Sequence, residues 1–540
     1  MKTLLSLLAC LLCLPVAASP GEASSESLPT DRFVNPIGEG CDPWIVRDPN
    51  AKRYLWCFSE GFRGIAIHTS DTITSLGRKK LVWSTPESGP YSRQIWAPEL
   101  HWLEDRWHIY FAASDGENRN HLAYVLRSKT TDPLGEYELH GPLTTGGGAD
   151  GLSPNIWAID MTVLEHHEKV YAIWSGWDTP GSDNQFTYIA PMKSGVETVG
   201  PRTLLCANND YPWEYTEDGG RGRGLHEAQQ ILKHGDRTFL IYSTGASWLP
   251  TYKLGMLELT GDDPLDPTSW KKFPEPVFRS TADTYGVGHS FFVRSPDESE
   301  WWHVYHTKFD RRPGWRRTVF AQPMRFTEAG LPDFGKPVAA GEPLPLPSGT
   351  RIPKLDLPFS ASLKSKAAPE GWSYYGHHQF IEFQHDGIHL GKLPEDRVND
   401  FRVGEKLVLD ARPPADYTAA VTVDFLGNGQ ARDAGLLFRA TGPALGYDAV
   451  RGYFAGLIPK TGLLVVGRMD GNSWTELKRT QLDIDTTRPQ RLQVTCKGHS
   501  FRVQVDGTEV LEFVDKTFDE GGVGVRVVDT HAVFSDFEVE

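Results

Sequence analysis

A two-strand unit recurs five times along the first part of this chain. Each copy opens a strand with a polar residue, passes through a tight polar turn, and ends in a second strand rich in aromatic residues. The copies begin at Asp42, Glu99, Asp160, Glu227 and His289, at intervals of about sixty residues. Such a period predicts a five-bladed β-propeller, because each unit can bury its apolar face only against its neighbours.

The remaining sequence predicts a second domain. A chain of 540 residues is too long for one ordinary domain, and the proline-rich segment 337–353 excludes helix and central strand. After it, short alternating strands predict a two-sheet jelly-roll sandwich, so the whole fold class is all-β. The predicted divisions are a signal peptide at 1–18, a leader at 19–31, the propeller at 32–345, a linker at 346–354 and the β-sandwich at 355–540.

The N-terminus predicts export. Lys2 precedes an apolar run that ends in small residues at Ala18, which is the pattern of a cleaved secretory signal peptide. A lipoprotein acylated at Cys10 is the alternative. The run is too short to span a membrane, and no later stretch approaches ~18 apolar residues. We therefore expect a secreted protein, extracellular or periplasmic, without a membrane span.

Composition limits the partners and the cysteine chemistry. The net charge of −15 disfavours nucleic acid as a partner, whereas 17 tryptophans suit stacking on sugar rings. The cysteines that follow the signal peptide contain no CxxC spacing, so they do not predict a zinc site. Cys41 and Cys57 flank one hairpin, and either a cross-strand disulfide or two buried thiols is consistent with that spacing.

The starts of the innermost strands predict a catalytic site. In a propeller these residues converge on one end of the central channel. Four carboxylates and a histidine gathered there would be costly as structure alone, because like charges repel, so a functional site is favoured. Hydrolysis of a glycoside needs one carboxyl group as acid and another as base or nucleophile. A third can keep the acid protonated. Asp42, Asp160 and Glu227 match that set.

The sequence resembles glycoside hydrolase family 43 over residues 32–345. The motifs that carry the resemblance are Cys41-Asp42-Pro43-Trp44, Ile95 to His101, Trp157 to Asp160, His226-Glu227-Ala228, Gly288 to Phe291, Arg317 to Pro323 and Pro332 to Pro337. The resemblance implies hydrolysis by inversion, with Asp42 as general base, Glu227 as general acid and Asp160 as the carboxylate that modulates the acid. One departure is Gln229, where proline is common in the family.

Other site residues follow from the same resemblance. Arg317 is expected near the base and the sugar, and Trp96 and His226 are expected to contact substrate. The resemblance places His289 beside a water network and, in some members, a calcium ion. No cofactor is therefore expected to be required, although a structural calcium at the propeller centre is consistent with the family.

The resemblance also bounds the substrate. It favours removal of α-L-arabinofuranosyl residues from a plant or algal polysaccharide or oligosaccharide, with β-D-xylosidase second. The motif Arg47-Asp48-Pro49 is similar to one of retaining fructosidases, but its place in the first hairpin favours Asp48 as a turn-forming residue. A fructan-active hydrolase and a propeller lectin without catalysis are the remaining alternatives. The C-terminal part resembles carbohydrate-binding module family 66, so it either binds sugar or serves as a structural cap. We expect a monomer.

Overall fold

The chain folds almost entirely into β-strands. The computed structural model describes residues 31–146, 155–216, 224–392, 404–427 and 432–540. The predicted signal peptide lies outside these ranges, as does the leader up to residue 30. The helices among the described residues are four short 3-10 turns, Asn118–Asn120, Pro212–Glu214, Pro267–Ser269 and His378–Phe380. No helix among them is long and apolar enough to cross a membrane.

The first domain consists of five antiparallel sheets, one for each predicted repeat. Blade 1 contains Trp44–Arg47, Tyr54–Glu60, Gly64–Ser70 and Arg78–Ser84. Blade 2 contains Arg93–Leu103, Arg106–Ser114, Leu122–Ser128 and Tyr137–His140. Blade 3 contains Ala158–His166, Lys169–Trp177, Gln185–Ser194, Glu197–Thr198 and Thr203–Cys206. Blade 4 contains His226–His234, Arg237–Thr244, Lys253–Leu259, Trp270–Lys272 and Phe278–Arg279. The predicted five-bladed propeller is confirmed.

Blade 5 closes the ring with an N-terminal strand. Its own strands are Gly288–Arg294, Trp301–Lys308, Arg317–Phe326 and Pro332–Asp333. The strand Gly38–Glu39 adds antiparallel to Arg317–Phe326, and Arg32–Phe33 pairs with Leu344–Pro345. The buried side chain of Asn35 fixes this closure, since it donates to the Ala321 carbonyl at 2.8 Å and accepts from the Ala321 N–H at 3.0 Å.

The aromatic residues of the second strands fill the spaces between blades. Trp56, Trp107, Trp174 and Trp302 come from the second strands of blades 1, 2, 3 and 5, and all are almost fully buried. Phe239 is buried in the corresponding strand of blade 4. Burial of a large aromatic side chain contributes roughly 2–3 kcal/mol, so these residues are a main source of cohesion between neighbouring blades.

The second domain is a β-sandwich of two antiparallel sheets. One sheet contains, in spatial order, Ile381–Phe383, Ile388–Gly391, His531–Val539, Tyr417–Asp424, Gln490–Lys497, Ser500–Val505 and Thr508–Val514, and Phe359–Ala361 also pairs with His531–Val539. The other contains Trp372–Tyr375, Lys406–Leu409, Gly522–Val527, Ala434–Thr441, Arg451–Ile458, Leu463–Asp470 and Trp474–Gln481. Side chains of both sheets form one buried core, which includes Val421, Leu436, Val525 and Phe534.

The sandwich contacts the propeller at blade 1 and at the N-terminal segment. The Ser75 and Ser373 hydroxyls lie 3.2 Å apart, and the Leu445 N–H donates to the Pro36 carbonyl at 2.9 Å. The second domain therefore packs beside the strand that closes the ring.

The cysteines are all free thiols among the described residues. Cys57 is buried in blade 1, and Cys41 lies half-buried just before it. The structure therefore selects the thiol alternative for this pair over the disulfide.

Candidate active site

A β-bulge sits at the start of the innermost strand in blades 2 to 5. Across each bulge the innermost strand advances by three residues while its partner advances by two, so the innermost strand carries one extra residue. The bulges span Trp96 to Glu99, Ile159 to Thr162, Glu227 to Gln230 and Gly288 to Phe291. One residue near each has a positive φ, namely Ala97, Asp160, Ala228 and His289, and Asp42 has the same conformation before the first strand of blade 1. The bulges re-aim these side chains toward the channel.

The observed register corrects the prediction that all five strand starts meet in one ring. Asp42, Asp160 and His289 occupy equivalent positions, and Glu227 comes one residue earlier. Glu99 comes two residues later, beyond its bulge, where it is 1% exposed. Its carboxylate accepts from Gln230 Nε2 at 2.8 Å. Glu99 therefore belongs to a buried second layer and not to the cavity.

The cavity at this end of the channel has a volume of about 830 Å³. Its polar lining includes Asp42, Asp160, Glu227, His289 and Arg317, and its aromatic lining includes Phe62, Trp96, Trp157, Trp177, Trp248 and Trp315. The Trp157 and Trp177 rings stack with centroids 4.9 Å apart, and Trp96 stacks on His121 at 3.8 Å. A few charged groups in an aromatic cleft are typical of a small-molecule site.

Arg317 and His289 favour the ionised form of Asp42. Its Oδ1 accepts from Arg317 Nη1 at 3.0 Å and lies 3.2 Å from His289 Nδ1. Burial alone would raise the pKa of Asp42, but the charges of Arg317 and His289 outweigh it and hold that pKa well below its usual range. Burial likewise acts to lower the pKa of His289, but the Asp42 carboxylate prevails and raises it.

Glu227 keeps its proton to a higher pH than an ordinary glutamic acid. Burial first, and the negative charge of Asp160 second, raise its pKa to about 7. One hydrogen bond opposes them, because the Tyr252 hydroxyl donates to Glu227 Oε2 at 3.0 Å and favours the ionised form. Asp160 is itself fixed through Oδ2, which accepts from the Ala228 N–H at 2.9 Å. The cavity thus contains two carboxyl groups, on different blades of the ring, whose pKa values are shifted in opposite directions: that of Glu227 upward and that of Asp42 downward.

The donor atoms around Asp42 do not fit a calcium ion. Asp42, His289 and His306 each offer one donor atom within 4.8 Å of the others, but calcium takes six to eight oxygen ligands. Two of these three donors are imidazole nitrogens. Arg317 already supplies a positive charge 3.0 Å from Asp42 Oδ1. These residues therefore do not form a direct calcium site, and a calcium ion held by His289 through water stays a prediction.

A comparison with family models identifies the protein family. The model described as "Glycosyl hydrolases family 43" matches residues 33–332, more than half of the chain. The chain belongs to this family. It is therefore a glycoside hydrolase, and the resemblance drawn from its motifs is confirmed.

Similar proteins of this family share both sequence and fold. An "Extracellular exo-alpha-(1->5)-L-arabinofuranosidase" of Streptomyces chartreusis is 29% identical over 302 residues, which are 54% of this chain and 87% of that protein. "Alpha-L-arabinofuranosidase 43" of Humicola insolens is 28% identical over 355 residues, 62% of this chain and 69% of that protein. The crystal structure of an α-L-arabinofuranosidase from Lactobacillus brevis superposes with a TM-score of 0.52 at 29% identity, covering 57% of this chain and 98% of that one.

Of the residues to which the resemblance to family 43 assigned a role in the site, the structure brings all but His226 to the cavity. Trp96 and Arg317 line it together with the three acids and His289. His226 does not, and the prediction that it contacts substrate is corrected. Its ring is fully buried, with Nε2 2.7 Å from Glu214 Oε1 and Nδ1 3.3 Å from Thr187 Oγ1. His226 precedes Glu227, but in a strand alternate side chains point to opposite faces.

Several residues at the site were not predicted from the sequence. Tyr252 contacts Glu227, and His306 Nδ1 accepts from the Asp42 N–H at 3.2 Å. Burial lowers the pKa of His306 to about 3, so it is neutral. Trp248 and Trp315 lie at the cavity in loops of blades 4 and 5. None carries a strand-start signal, so a strand pattern alone does not single them out.

We expect Lys272→Met to destabilise the fold behind Glu227. Lys272 Nζ lies 2.7 Å from Glu214 Oε1, and Glu214 is fully buried. Burial acts to raise the pKa of Glu214, but His226 and Lys272 outweigh it and lower that pKa to about 2. Removal of the lysine leaves a buried carboxylate without its cation, which costs about 3–5 kcal/mol in the free energy of unfolding.

Urea unfolding followed by tryptophan fluorescence measures this loss. The matched control is Lys271→Met, because Lys271 is the exposed neighbour on the same strand. It should change the free energy of unfolding by no more than about 0.5 kcal/mol. Equal effects of the two substitutions would contradict the role given to Lys272.

Proposed function

We propose that this family 43 protein is a secreted, exo-acting α-L-arabinofuranosidase that hydrolyses its substrate with inversion. The observation that carries the mechanism is that two carboxyl groups in one cavity have opposite pKa shifts: the pKa of Glu227 is raised to about 7, and that of Asp42 is held well below its usual range. The choice of arabinofuranoside is supported by the names of the similar proteins from Streptomyces chartreusis and Humicola insolens.

In the proposed reaction Glu227 gives its proton to the glycosidic oxygen as the bond from that oxygen to the anomeric carbon breaks. A water molecule attacks the same carbon from the opposite face, and Asp42 accepts the proton that the water loses. Arg317 and His289 orient the Asp42 carboxylate. No covalent intermediate forms, and all steps use protein groups and water.

Asp160 and Tyr252 tune the acid in opposite directions. The negative charge of Asp160 favours the protonated form of Glu227, and the hydroxyl of Tyr252 favours the ionised form. Their balance keeps the pKa of Glu227 close to the pH at which a general acid is most effective.

The rival functions have less support. Asp48, which suggested a fructan-active enzyme, accepts from the Asn50 N–H at 2.9 Å and from Arg53 Nε at 3.1 Å within the first hairpin turn. It therefore forms a turn away from the acids. A lectin would not need carboxyl groups with opposite pKa shifts, as Asp42 and Glu227 have. β-D-Xylosidase is the second candidate for the substrate.

Export and the second domain complete the proposal. The signal-peptide pattern of residues 1–18 and the extracellular relative of Streptomyces chartreusis support secretion. We keep polysaccharide binding by residues 355–540 as a prediction from their resemblance to carbohydrate-binding module family 66.

We expect purified protein to hydrolyse nitrophenyl α-L-arabinofuranoside faster than nitrophenyl β-D-xyloside. Asp42→Ala should lower kcat by about 10²–10⁴-fold on every arabinofuranoside, because water must always be activated. Glu227→Ala should be less damaging on nitrophenyl substrates than on oligosaccharides, because nitrophenolate leaves with little help from a proton. The measurement is kcat for both variants on both kinds of substrate.

Two outcomes would contradict this assignment. Faster cleavage of the xyloside would transfer the proposal to β-D-xylosidase. Equal losses for Glu227→Ala on both leaving groups would remove Glu227 from the role of acid.

We expect Tyr252→Phe and Asp160→Asn to shift the pH profile of kcat/KM in opposite directions. Glu227 acts only while protonated, so the alkaline limb follows its pKa. Loss of the Tyr252 hydroxyl removes a donor to the carboxylate, so the pKa and the limb should rise. Loss of the Asp160 charge should lower both, while the amide oxygen of Asn can still accept from the Ala228 N–H. Shifts in the same direction would show that the limb reports another group.

A further inference from the structure

Two tryptophans at the cavity take no part in the proposed reaction. Trp315 is 64% exposed although it lines the cavity, and Trp248 beside it is half-buried. Their ring centroids lie 5.3 Å apart at an interplanar angle of 50°. An exposed tryptophan at the edge of a cleft leaves a large apolar surface uncovered, and such a surface commonly marks a binding site.

The two rings are held by contacts between loops of neighbouring blades. Trp248 lies between the strands Arg237–Thr244 and Lys253–Leu259, and Trp315 lies between Trp301–Lys308 and Arg317–Phe326. The N–H of Gly314, just before Trp315, donates to the Trp248 carbonyl at 2.8 Å. This hydrogen bond joins the two loops and places the two rings side by side, and the pair is called the platform below.

The platform adjoins the residues that hold the acid and the base. Trp315 comes two residues before Arg317, whose guanidinium lies 5.7 Å from the Trp315 ring centroid. Trp248 comes four residues before Tyr252, which donates to Glu227. Trp315 is largely exposed, whereas Asp160 and Glu227 are buried at 4% and 9% exposure.

We propose that Trp248 and Trp315 bind the sugar residue on the leaving-group side of the cleaved bond. This inference rests on the proposed function, in which the terminal sugar lies among the buried carboxyl groups. The rest of the substrate must then pass the exposed rim. A sugar ring presents an apolar C–H face that an aromatic ring can cover, while its hydroxyls remain in water.

Contact with the platform should determine which substrates the enzyme prefers. An arabinofuranoside whose leaving group is a second sugar gains the contact with the platform, and one with a leaving group too small to reach the rim does not. The enzyme should therefore favour oligosaccharides and polysaccharide side chains over simple glycosides. The platform adds binding energy without altering the proton transfers of Asp42 and Glu227.

The test compares two substrates of the full-length enzyme, an arabinofuranosyl disaccharide and arabinofuranosyl fluoride. Fluoride has no ring to stack on the platform. We expect Trp315→Ala, alone and with Trp248→Ala, to lower the ratio of kcat/KM for disaccharide over fluoride by about tenfold in the double variant. Most of the change should be in KM for the disaccharide. The ratio is independent of how much of each variant is folded.

Matched variants sharpen the result. Phe309→Ala removes another exposed aromatic from the same hairpin, 44% exposed and outside the cavity lining, and should leave the ratio unchanged. Trp315→Phe should retain most of the ratio of kcat/KM for disaccharide over fluoride that the unaltered enzyme shows. An unchanged ratio in the double variant, or an equal fall in Phe309→Ala, would overturn the inference while the proposed function stands. Failure of the unaltered enzyme to cleave either substrate would overturn both.

Discussion

Pairing of the strand Gly38–Glu39 with the strand Arg317–Phe326 both closes the propeller ring and places Asp42. The strand Gly38–Glu39 completes blade 5 by pairing with Arg317–Phe326, and the chain then reaches Asp42 three residues later. There the Asp42 carboxylate meets Arg317 at 3.0 Å, although the two residues are 275 positions apart in sequence. The proposed base is therefore assembled only when the first and last parts of the propeller are joined. This dependence links folding of the whole ring to activity.

The charges around this contact explain why one acid keeps its proton. Arg317 and His289 both lie beside Asp42, so the ionised form is favoured there. Glu227 has no cation in hydrogen-bonding contact among the described residues, and burial and Asp160 act against its ionisation. Asp42 is thus stabilised as a carboxylate, whereas the pKa of Glu227 is raised to about 7. The carboxyl groups of Asp42 and Glu227 therefore differ in pKa because their surroundings differ.

Much of the fold, and part of the site, could be predicted from the sequence. The aromatic second strands reveal the repeat because each copy must bury the same face. Glu99 and His226 were misplaced because a period of two does not show where a bulge inserts an extra residue or which face a neighbour takes. Tyr252 and the platform residues lie outside the repeated pattern, in segments positioned by tertiary contacts such as that of Gly314 with Trp248. Such contacts leave no local periodicity to read.

The central claim is that water, activated by Asp42, displaces a leaving group protonated by Glu227 in one step. Proton NMR of the first sugar released, recorded before the anomers interconvert, tests this claim most directly. The account predicts that the anomeric proton signal of the β-anomer appears first from an α-L-arabinofuranoside. First appearance of the α-anomer would mean retention and a covalent intermediate, and would contradict the roles given to Asp42 and Glu227.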